Sequence, residues 1–442
     1  MSGRGRCEDD MRFCIETLGC KVNQYETQAI ETILTERGHV SGAAGDGCDV
    51  CIVNTCAVTN ESGRKSRQAV RRMKNLEPNA FIAVCGCFSQ ISPEEVRALG
   101  ADIVAGSGDR RAFVDDIERL VKSSYASRDV GDPFTRKIFE ELPSGGVSGR
   151  TRGMLKIQDG CDNFCAYCII PYARGPARSL PVDKAVAEAI RLEQAGYREL
   201  VVTGIEISSY GKDLGDKTAL VDAVCAVSHG VPNMRLRLGS LEPGIVTEEF
   251  VRALKEMPNI CDHFHLSLQS GCDDTLKRMG RKYDTGRFLQ SVETLRQYFP
   301  ACGITADLIV GFPVESDAEF GKTLEFIQKC NFSSMHIFPY SRRPGTAAAD
   351  MSGQVEKGVK RERARIAGAV AQEMEISFLR SCTGSVQNVL FEREASGISS
   401  GHAGNYAQVC VNAVNIHNTM LTVQITEEKN GVLWGKVTSP II

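Results

Sequence analysis

"GCDNFCAYCIIPYARGPARS", residues 160–179, follows directly on "GMLKIQD" (153–159), an apolar run that reads as a β-strand. Cys161, Cys165 and Cys168 are spaced C-x3-C-x2-C on the loop after that strand. Three thiolates this close can hold three irons of a [4Fe-4S] cluster and leave the fourth iron open. A structural zinc site is the alternative reading. Zinc usually takes four ligands from paired knuckles, and no second pair lies nearby. An open iron can chelate the amino and carboxylate groups of S-adenosylmethionine, whose reductive cleavage gives a 5'-deoxyadenosyl radical.

Downstream of this loop, apolar strands alternate with helical patterns. Candidate strands are "GMLKIQD", "ELVVTGI" (199–205), "MRLRLGS" (234–240), "HFHLSLQS" (263–270), "GITADLIVGFP" (303–313) and "SSMHIFPYS" (333–341). Six βα units predict an incomplete (β/α) barrel over residues 153–350, with its chemistry at the C-terminal strand ends. A connecting helix is expected over 351–381. The tail, 382–442, has short β-rich pieces separated by Gly and Asn, as in a small β-barrel.

Upstream, residues 11–122 alternate in the same way. "RFCIETLGC" (12–20), "CDVCIVNTC" (48–56) and "AFIAVCGCFS" (80–89) read as strands, and "NQYETQAIETILTERG" (23–38) and "NESGRKSRQAVRRMKNL" (60–76) as helices. The pattern predicts a doubly wound parallel sheet, whose ligands gather at the carboxyl ends of strands. Cys20, Cys56 and Cys87 all fall there, one after each strand. Between the two α/β regions, 123–152 is Pro/Gly/Ser-rich and reads as a linker. "MSGRGRCEDD" (1–10) reads as a frayed extension.

The bulk numbers restrict the class. The chain has 442 residues, 42% hydrophobic and 24% charged, with a formal charge of −3, so any RNA contact must rest on local basic patches. No apolar run is long enough to span a bilayer, which suggests a cytoplasmic protein. Eighteen cysteines without a secretory signal suggest ligands rather than disulfides. Cys225, Cys261, Cys302, Cys330 and Cys410 sit singly in apolar patterns and read as inert packing residues. Cys14, Cys48 and Cys51 read as structural. In a strand Cys85 and Cys87 would share a face, so the pattern alone does not choose between them.

With Tyr167 before its last cysteine, the opening loop resembles the radical S-adenosylmethionine superfamily. The blocks "TLGCKVNQYE" (17–26), "IVNTCAVT" (52–59), "CGCFSQ" (85–90), "RLGSLEP" (237–243), "HLSLQSGCDDTLKRMGRKY" (265–283), "TADLIVGFPVES" (305–316) and "FPYSRRPGTAAA" (338–349) extend that likeness to the methylthiotransferase family. The resemblance covers nearly the whole chain from Arg12. It implies an N-terminal cluster domain, a radical barrel and a C-terminal TRAM domain, with "SGHAGNYAQVCV" (400–411) similar to the TRAM block. It also implies that Cys20, Cys56 and Cys87 hold a second [4Fe-4S] cluster, which carries sulfur, while the barrel cluster generates the radical. The reaction it implies replaces C2–H of a purine in tRNA, a bond that acid–base chemistry cannot activate.

Further site residues follow the strand ends. Tyr167, Gly204, Glu206, Ser208, Ser240, Glu242, Gln269 and Asp307 are candidates for holding the cofactor, with Gly311 beside them; each either does so or simply closes the barrel top. Arg342 and Arg343 either pair with a carboxylate or phosphate or lie on a solvated loop. Arg64, Arg67 and Arg71 share a helix face that is either solvated or set against phosphates. The tail is neutral, so RNA binding there would rest on Tyr406, His402, Trp434 and backbone donors.

"TLGCKVNQYE" and "TGIEISSYG" (203–211) resemble the branch of the family that acts on N6-threonylcarbamoyladenosine beside the anticodon. The implied partners are tRNA and a reductant such as flavodoxin or ferredoxin, with no membrane. The alternatives are the isopentenyladenosine branch, a ribosomal-protein aspartate as substrate, or an iron–sulfur RNA-binding or electron-transfer protein with no transferase activity.

Overall fold

A computed structural model describes residues 10–125, 128–143 and 151–440. Most of the expected N-terminal extension, 126–127 and 144–150 of the expected linker, and 441–442 of the expected tail lie outside the described residues. The chain divides into two compact units. Among the described residues, no helix is long and apolar enough to cross a membrane.

The first unit is built on a parallel sheet. Its strands are β1 (Arg12–Thr17), β2 (Val40–Ser41), β3 (Val50–Thr55), β4 (Phe81–Gly86) and β5 (Ile103–Val104), in spatial order β2-β1-β3-β4-β5. β3 lies at the centre and is buried at every position, which is why its first four residues, Val50 to Val53, read as an apolar run rather than an alternating one. Each of Val50, Ile52 and Val53 contributes about 1.5–3 kcal/mol by leaving water. The crossovers are helices α1 (Lys21–Glu36), α2 (Asn60–Leu76), the short α3 (Cys87–Ile91) and α4 (Pro93–Ala98), followed by α5 (Arg110–Ser123). α2 begins where Thr59 Oγ1 accepts from the Ser62 amide at 3.0 Å and buries Ser66, Ala69, Val70 and Met73 on one face. Its Arg and Lys side chains are left on the other.

The described part of 123–152 differs from a free linker. Phe139 and Leu142 are buried, Tyr25 Oη donates to the Leu142 carbonyl at 2.7 Å, and Arg136 donates to Ser107 Oγ at 2.7 Å and Gln90 Oε1 at 2.8 Å. This strap packs on the first unit through isolated anchors that a count of Pro, Gly and Ser does not weigh. The barrel bounds differ too. Gln158–Phe164 and Cys168–Leu180 pack with the first unit, where the short strands Gln158–Asp159 and Arg178–Ser179 pair, whereas Cys165–Tyr167 packs with the second.

In the second unit the six expected strands are present and parallel: β6 (Arg152–Lys156), β7 (Glu199–Thr203), β8 (Arg235–Leu238, resuming over Ser240–Leu241), β9 (His263–Gln269), β10 (Gly303–Val310) and β11 (Ser334–Pro339). β6 and β11 are outer strands that do not pair, so the barrel is open. The long helix Lys357–Ser381 packs along β11. The tail forms a closed barrel from β12 (Val386–Ala395), β13 (Ile398–Ala403), β14 (Gln408–Val411), β15 (Met420–Lys429) and β16 (Val432–Pro440), around Phe391, Val409, Val423 and Leu433.

Tyr406, expected as an RNA-binding residue, also makes packing contacts inside this unit. The ring stacks on His263 at 4.6 Å and on His402 at 5.0 Å, with the Arg237 guanidinium 4.8 Å from its centroid. Its φ of +73° is held by that packing. The neighbouring Asn405 carbonyl comes so close to the start of β10 that a Cβ on Gly303 would sit 2.1 Å from it. Beneath lies Glu199, fully buried and paired with Arg235 at 2.6 Å and Arg237 at 2.8 Å. His402 is bound to Glu392 and Arg152. Tyr406 and His402 therefore tie the small barrel to the strand N-termini of the large one. Tyr406 nevertheless remains 37% exposed.

Candidate active site

Three adjacent strands of the first unit deliver three thiols to one edge. β1 ends at Thr17, and Cys20 is the N-cap of α1; Cys56 follows β3 directly, and Cys87 follows β4 and opens α3. Cys20 is exposed, while Cys56 and Cys87 are buried. Two glycines permit the crowding. Gly19 has φ +102°, and a Cβ there would lie 2.8 Å from Cys56 Sγ. Gly86 has φ +107°, and its Cβ would lie 2.4 Å from the Thr55 carbonyl. That turn also separates Cys85 from Cys87. Cys85 stays in the strand, whereas Cys87 has entered a helix, so the same-face rule for strands does not reach it.

Burial pushes the Cys56 thiol up and the Cys87 thiol up to about 12. At both sites the Arg174 guanidinium opposes that push. A buried thiolate here requires compensating positive charge, which iron and Arg174 together would supply. Arg174 and its partners Asn23 and Glu26 are functional candidates that sequence reading passed over. Nη2 of Arg174 donates to Asn23 Oδ1 at 2.9 Å and Nη1 to Glu26 Oε1 at 2.6 Å. Asn23 in turn donates to the carbonyls of Leu18 at 2.8 Å and Thr55 at 2.9 Å, the segments that precede Cys20 and Cys56. Nε of Arg174 is buried without an acceptor among the described residues, an orphaned donor that fits a charged group held there. The donor set, three soft sulfurs beside a fixed cation, fits an iron–sulfur cluster.

The other cysteine loop is divided between the two units. In the first unit the Cys161 amide donates to the Gly175 carbonyl at 3.0 Å, and the Ala177 amide donates to Asp162 Oδ2 at 3.2 Å, which folds the loop back on itself. In the second unit Cys165 Sγ accepts from Arg281 Nη1 at 3.1 Å, and Tyr167 Oη accepts from the same nitrogen at 3.3 Å. Arg281 also pairs with Glu242 and donates to Tyr283 Oη. Tyr283 donates to carbonyls at the end of β9. Arg281 and Tyr283 lie in the "RMGRKY" part of a quoted block but were not singled out. The signal was their position just after a strand-end loop.

The expected cofactor residues divide. Ser208 Oγ accepts from the Glu242 amide at 2.8 Å, and Glu206 accepts from the Ser208 amide at 3.0 Å, so Glu206, Ser208 and Glu242 form one cluster at the carboxyl ends of β7 and β8. Burial, and then the Glu242 charge, push the Glu206 carboxyl up. Gly204 closes β7 next to this cluster. Ser240 is exposed on β8. Gln269 ends β9 at a bulge with φ +66°. Asp307 stands within β10, 3.4 Å from His265 Nε2. Gly311, with φ +71°, follows β10, and a Cβ there would meet Lys360 Cγ at 2.4 Å.

Arg342 donates to the Ala349 carbonyl at 2.7 Å, and Arg343 is buried. On α2, Arg64 pairs with Glu61, Arg67 pairs with Glu95 at 3.2 Å, and Arg71 is exposed. Cys261, Cys302 and Cys330 are buried, as packing residues are, and Cys225 and Cys410 are half-buried. Cys14 Sγ and Cys51 Sγ lie 3.3 Å apart in the sheet core.

Residues 155–327 match the Radical SAM superfamily, and residues 12–106 match Uncharacterized protein family UPF0004. The chain is 39% identical over 397 residues to the threonylcarbamoyladenosine tRNA methylthiotransferase MtaB of Thermotoga maritima, covering 89% of this chain and 90% of that one. It is 38% identical over 401 residues to MtaB of Bacillus subtilis (89% and 88% covered). It is 32% identical over 397 residues to the tRNA-2-methylthio-N(6)-dimethylallyladenosine synthase of Bacillus subtilis (88% and 77%). Among solved structures, the radical S-adenosylmethionine methyltransferase TsrM from Kitasatospora setae superposes with a TM-score of 0.57 at 14% identity (88% and 78% covered), a likeness of fold.

Proposed function

The chain belongs to the radical S-adenosylmethionine methylthiotransferase family, and on that premise we propose that it transfers a methylthio group to C2 of N6-threonylcarbamoyladenosine beside the anticodon of tRNA. The methylthio transfer rests on the delivery of Cys20, Cys56 and Cys87 to one edge of the first unit, in a chain that also bears the C-x3-C-x2-C loop, and the choice of substrate on the 38–39% identity to the two MtaB proteins.

Cys161, Cys165 and Cys168 would hold one [4Fe-4S] cluster, and Cys20, Cys56 and Cys87 the other. When bound, these groups supply a 5'-deoxyadenosyl radical from S-adenosylmethionine and a carried sulfur. The protein's own residues then have distinct tasks. Arg281 fixes the sulfur of Cys165 and the hydroxyl of Tyr167 while it is itself anchored by Glu242 and Tyr283. Glu206, Ser208 and Glu242 offer hydrogen-bond acceptors at the β7 and β8 ends to an amino group and ribose. Gly204, Ser240, Gln269 and Asp307 complete the rim. Arg64, Arg67, Arg71 and Arg342 are left as contacts for the tRNA backbone or the threonyl carboxylate. The setting is cytoplasmic, with a reductant such as flavodoxin or ferredoxin.

The test is a reaction of reconstituted protein with S-adenosylmethionine, sulfide, dithionite and a tRNA bearing N6-threonylcarbamoyladenosine. Formation of the 2-methylthio nucleoside together with 5'-deoxyadenosine supports the reading. Product only from isopentenyladenosine tRNA reassigns the substrate.

A further inference from the structure

Arg174 does not behave as an ordinary structural arginine. It is fully buried in the short helix Ile170–Arg174 and held on three sides, by Glu26 at 2.6 Å, Asn23 at 2.9 Å and Asp159 at 3.1 Å. Glu26 is also buried and is shared with Arg110 Nη2 at 2.7 Å, so this carboxylate already has a cationic partner without Arg174. A buried ion pair is weak evidence for stability, because desolvating a second guanidinium costs several kcal/mol.

The connections lead toward the thiols. Asn23, which accepts from Arg174, also lies 4.0 Å from Cys20 Sγ through the same oxygen and braces the backbone before Cys20 and Cys56. Nε of Arg174 is the one donor of the group with no acceptor among the described residues. A guanidinium this constrained keeps its charge at any working pH and stands as a pre-oriented donor.

We propose that Arg174 is a positioning residue for a sulfur anion at the Cys20/Cys56/Cys87 site: oriented by Asn23, Glu26 and Asp159, it holds hydrosulfide or a thiolate at the iron those three cysteines leave open. This rests on the functional reading of that site as a cluster site. It adds that the short helix after the radical loop supplies the charge that retains the sulfur.

The test uses the full chain with Cys161→Ala, Cys165→Ala and Cys168→Ala, anaerobically reconstituted so that only the second cluster remains. Sodium sulfide is titrated and followed by the cluster's electron paramagnetic resonance and absorbance. Arg174→Gln is expected to weaken sulfide binding about tenfold or more, the loss of one charge-assisted hydrogen bond, with iron content unchanged. Arg174→Lys, which retains the charge, is expected to stay within about threefold of the parent. Native-like sulfide binding in Arg174→Gln, or equal losses in the Gln and Lys variants, overturns the proposal. If Arg174→Gln alone loses its iron, the comparison of Arg174→Lys with the parent decides. A parent that binds no iron through Cys20, Cys56 and Cys87 refutes the site reading itself, a different result.

Discussion

Arg281 donates a hydrogen bond to Cys165 Sγ across 3.1 Å, from a side chain that is almost fully buried and neutralised by Glu242. A hydrogen bond to a cluster ligand raises its reduction potential, and a charged donor is worth about 1.5–3 kcal/mol. Arg281→Ala is therefore expected to slow reductive cleavage of S-adenosylmethionine by about 10–100-fold, with the barrel cluster still assembled. Single-turnover 5'-deoxyadenosine formation checks this, and an unchanged rate contradicts it.

The two cysteine sets predict separable losses. Cys161→Ala should abolish 5'-deoxyadenosine formation. Cys20→Ala should spare it and stop methylthio transfer. Assays of both products on proteins with verified secondary structure distinguish the two effects. If intact protein forms no 5'-deoxyadenosine at all while both clusters are present, an electron-transfer or RNA-binding role replaces the enzyme reading.

Gly19→Ala should disable one site and leave the other. The added Cβ would meet Cys56 Sγ at 2.8 Å in a backbone of φ +102°. Iron analysis should show one cluster per chain instead of two, and retained 5'-deoxyadenosine formation. Full iron loading would show that the thiol edge tolerates more room than its packing indicates.

Glu199 ties pH to stability. Burial opposes its charge, yet Arg237, Arg235 and Arg152 hold its carboxyl well below the ordinary carboxylate range. A lowered carboxyl stabilises the fold above its unfolded pKa of about 4.3 and loses that contribution as pH falls through the lower folded value. Glu199→Gln leaves the buried Arg235 and Arg237 guanidinium groups short of a partner and should cost about 3–5 kcal/mol at pH 7. In denaturant titrations the gap between the two proteins should persist at pH 6 and narrow below about pH 4. A gap that does not change with pH assigns the loss to packing.

The sequence was most informative where local chemistry and periodicity agreed. Helix α2 begins and ends where "NESGRKSRQAVRRMKNL" does, because Thr59 caps it and its apolar spacing is regular. The six barrel strands were legible for the same reason. β2 and β5 have two residues each, too few to show a period, and they were not foreseen. Cys20 and Cys56 could be placed at strand ends from the pattern, and Cys87 chosen over Cys85 from the family resemblance, but the neighbouring guanidinium could not be placed. Asn23 and Glu26 sit inside "KVNQYE", where they looked like a signature without a reason; the reason is Arg174, about 150 residues away along the chain. Tyr406 shows the same limit: an aromatic in a neutral, Gly-rich loop suggests stacking on a base, and the sequence alone does not place His263 and Arg237 beside it.

The central claim is the substrate, and the most direct measurement is nucleoside mass analysis of tRNA from cells that lack this chain and from the same cells with it restored. Loss of 2-methylthio-N6-threonylcarbamoyladenosine alone, with its unthiolated precursor accumulating and the modification returning on restoration, is the predicted result. Unchanged levels of that nucleoside, or loss of the 2-methylthio isopentenyladenosine nucleoside instead, would contradict it.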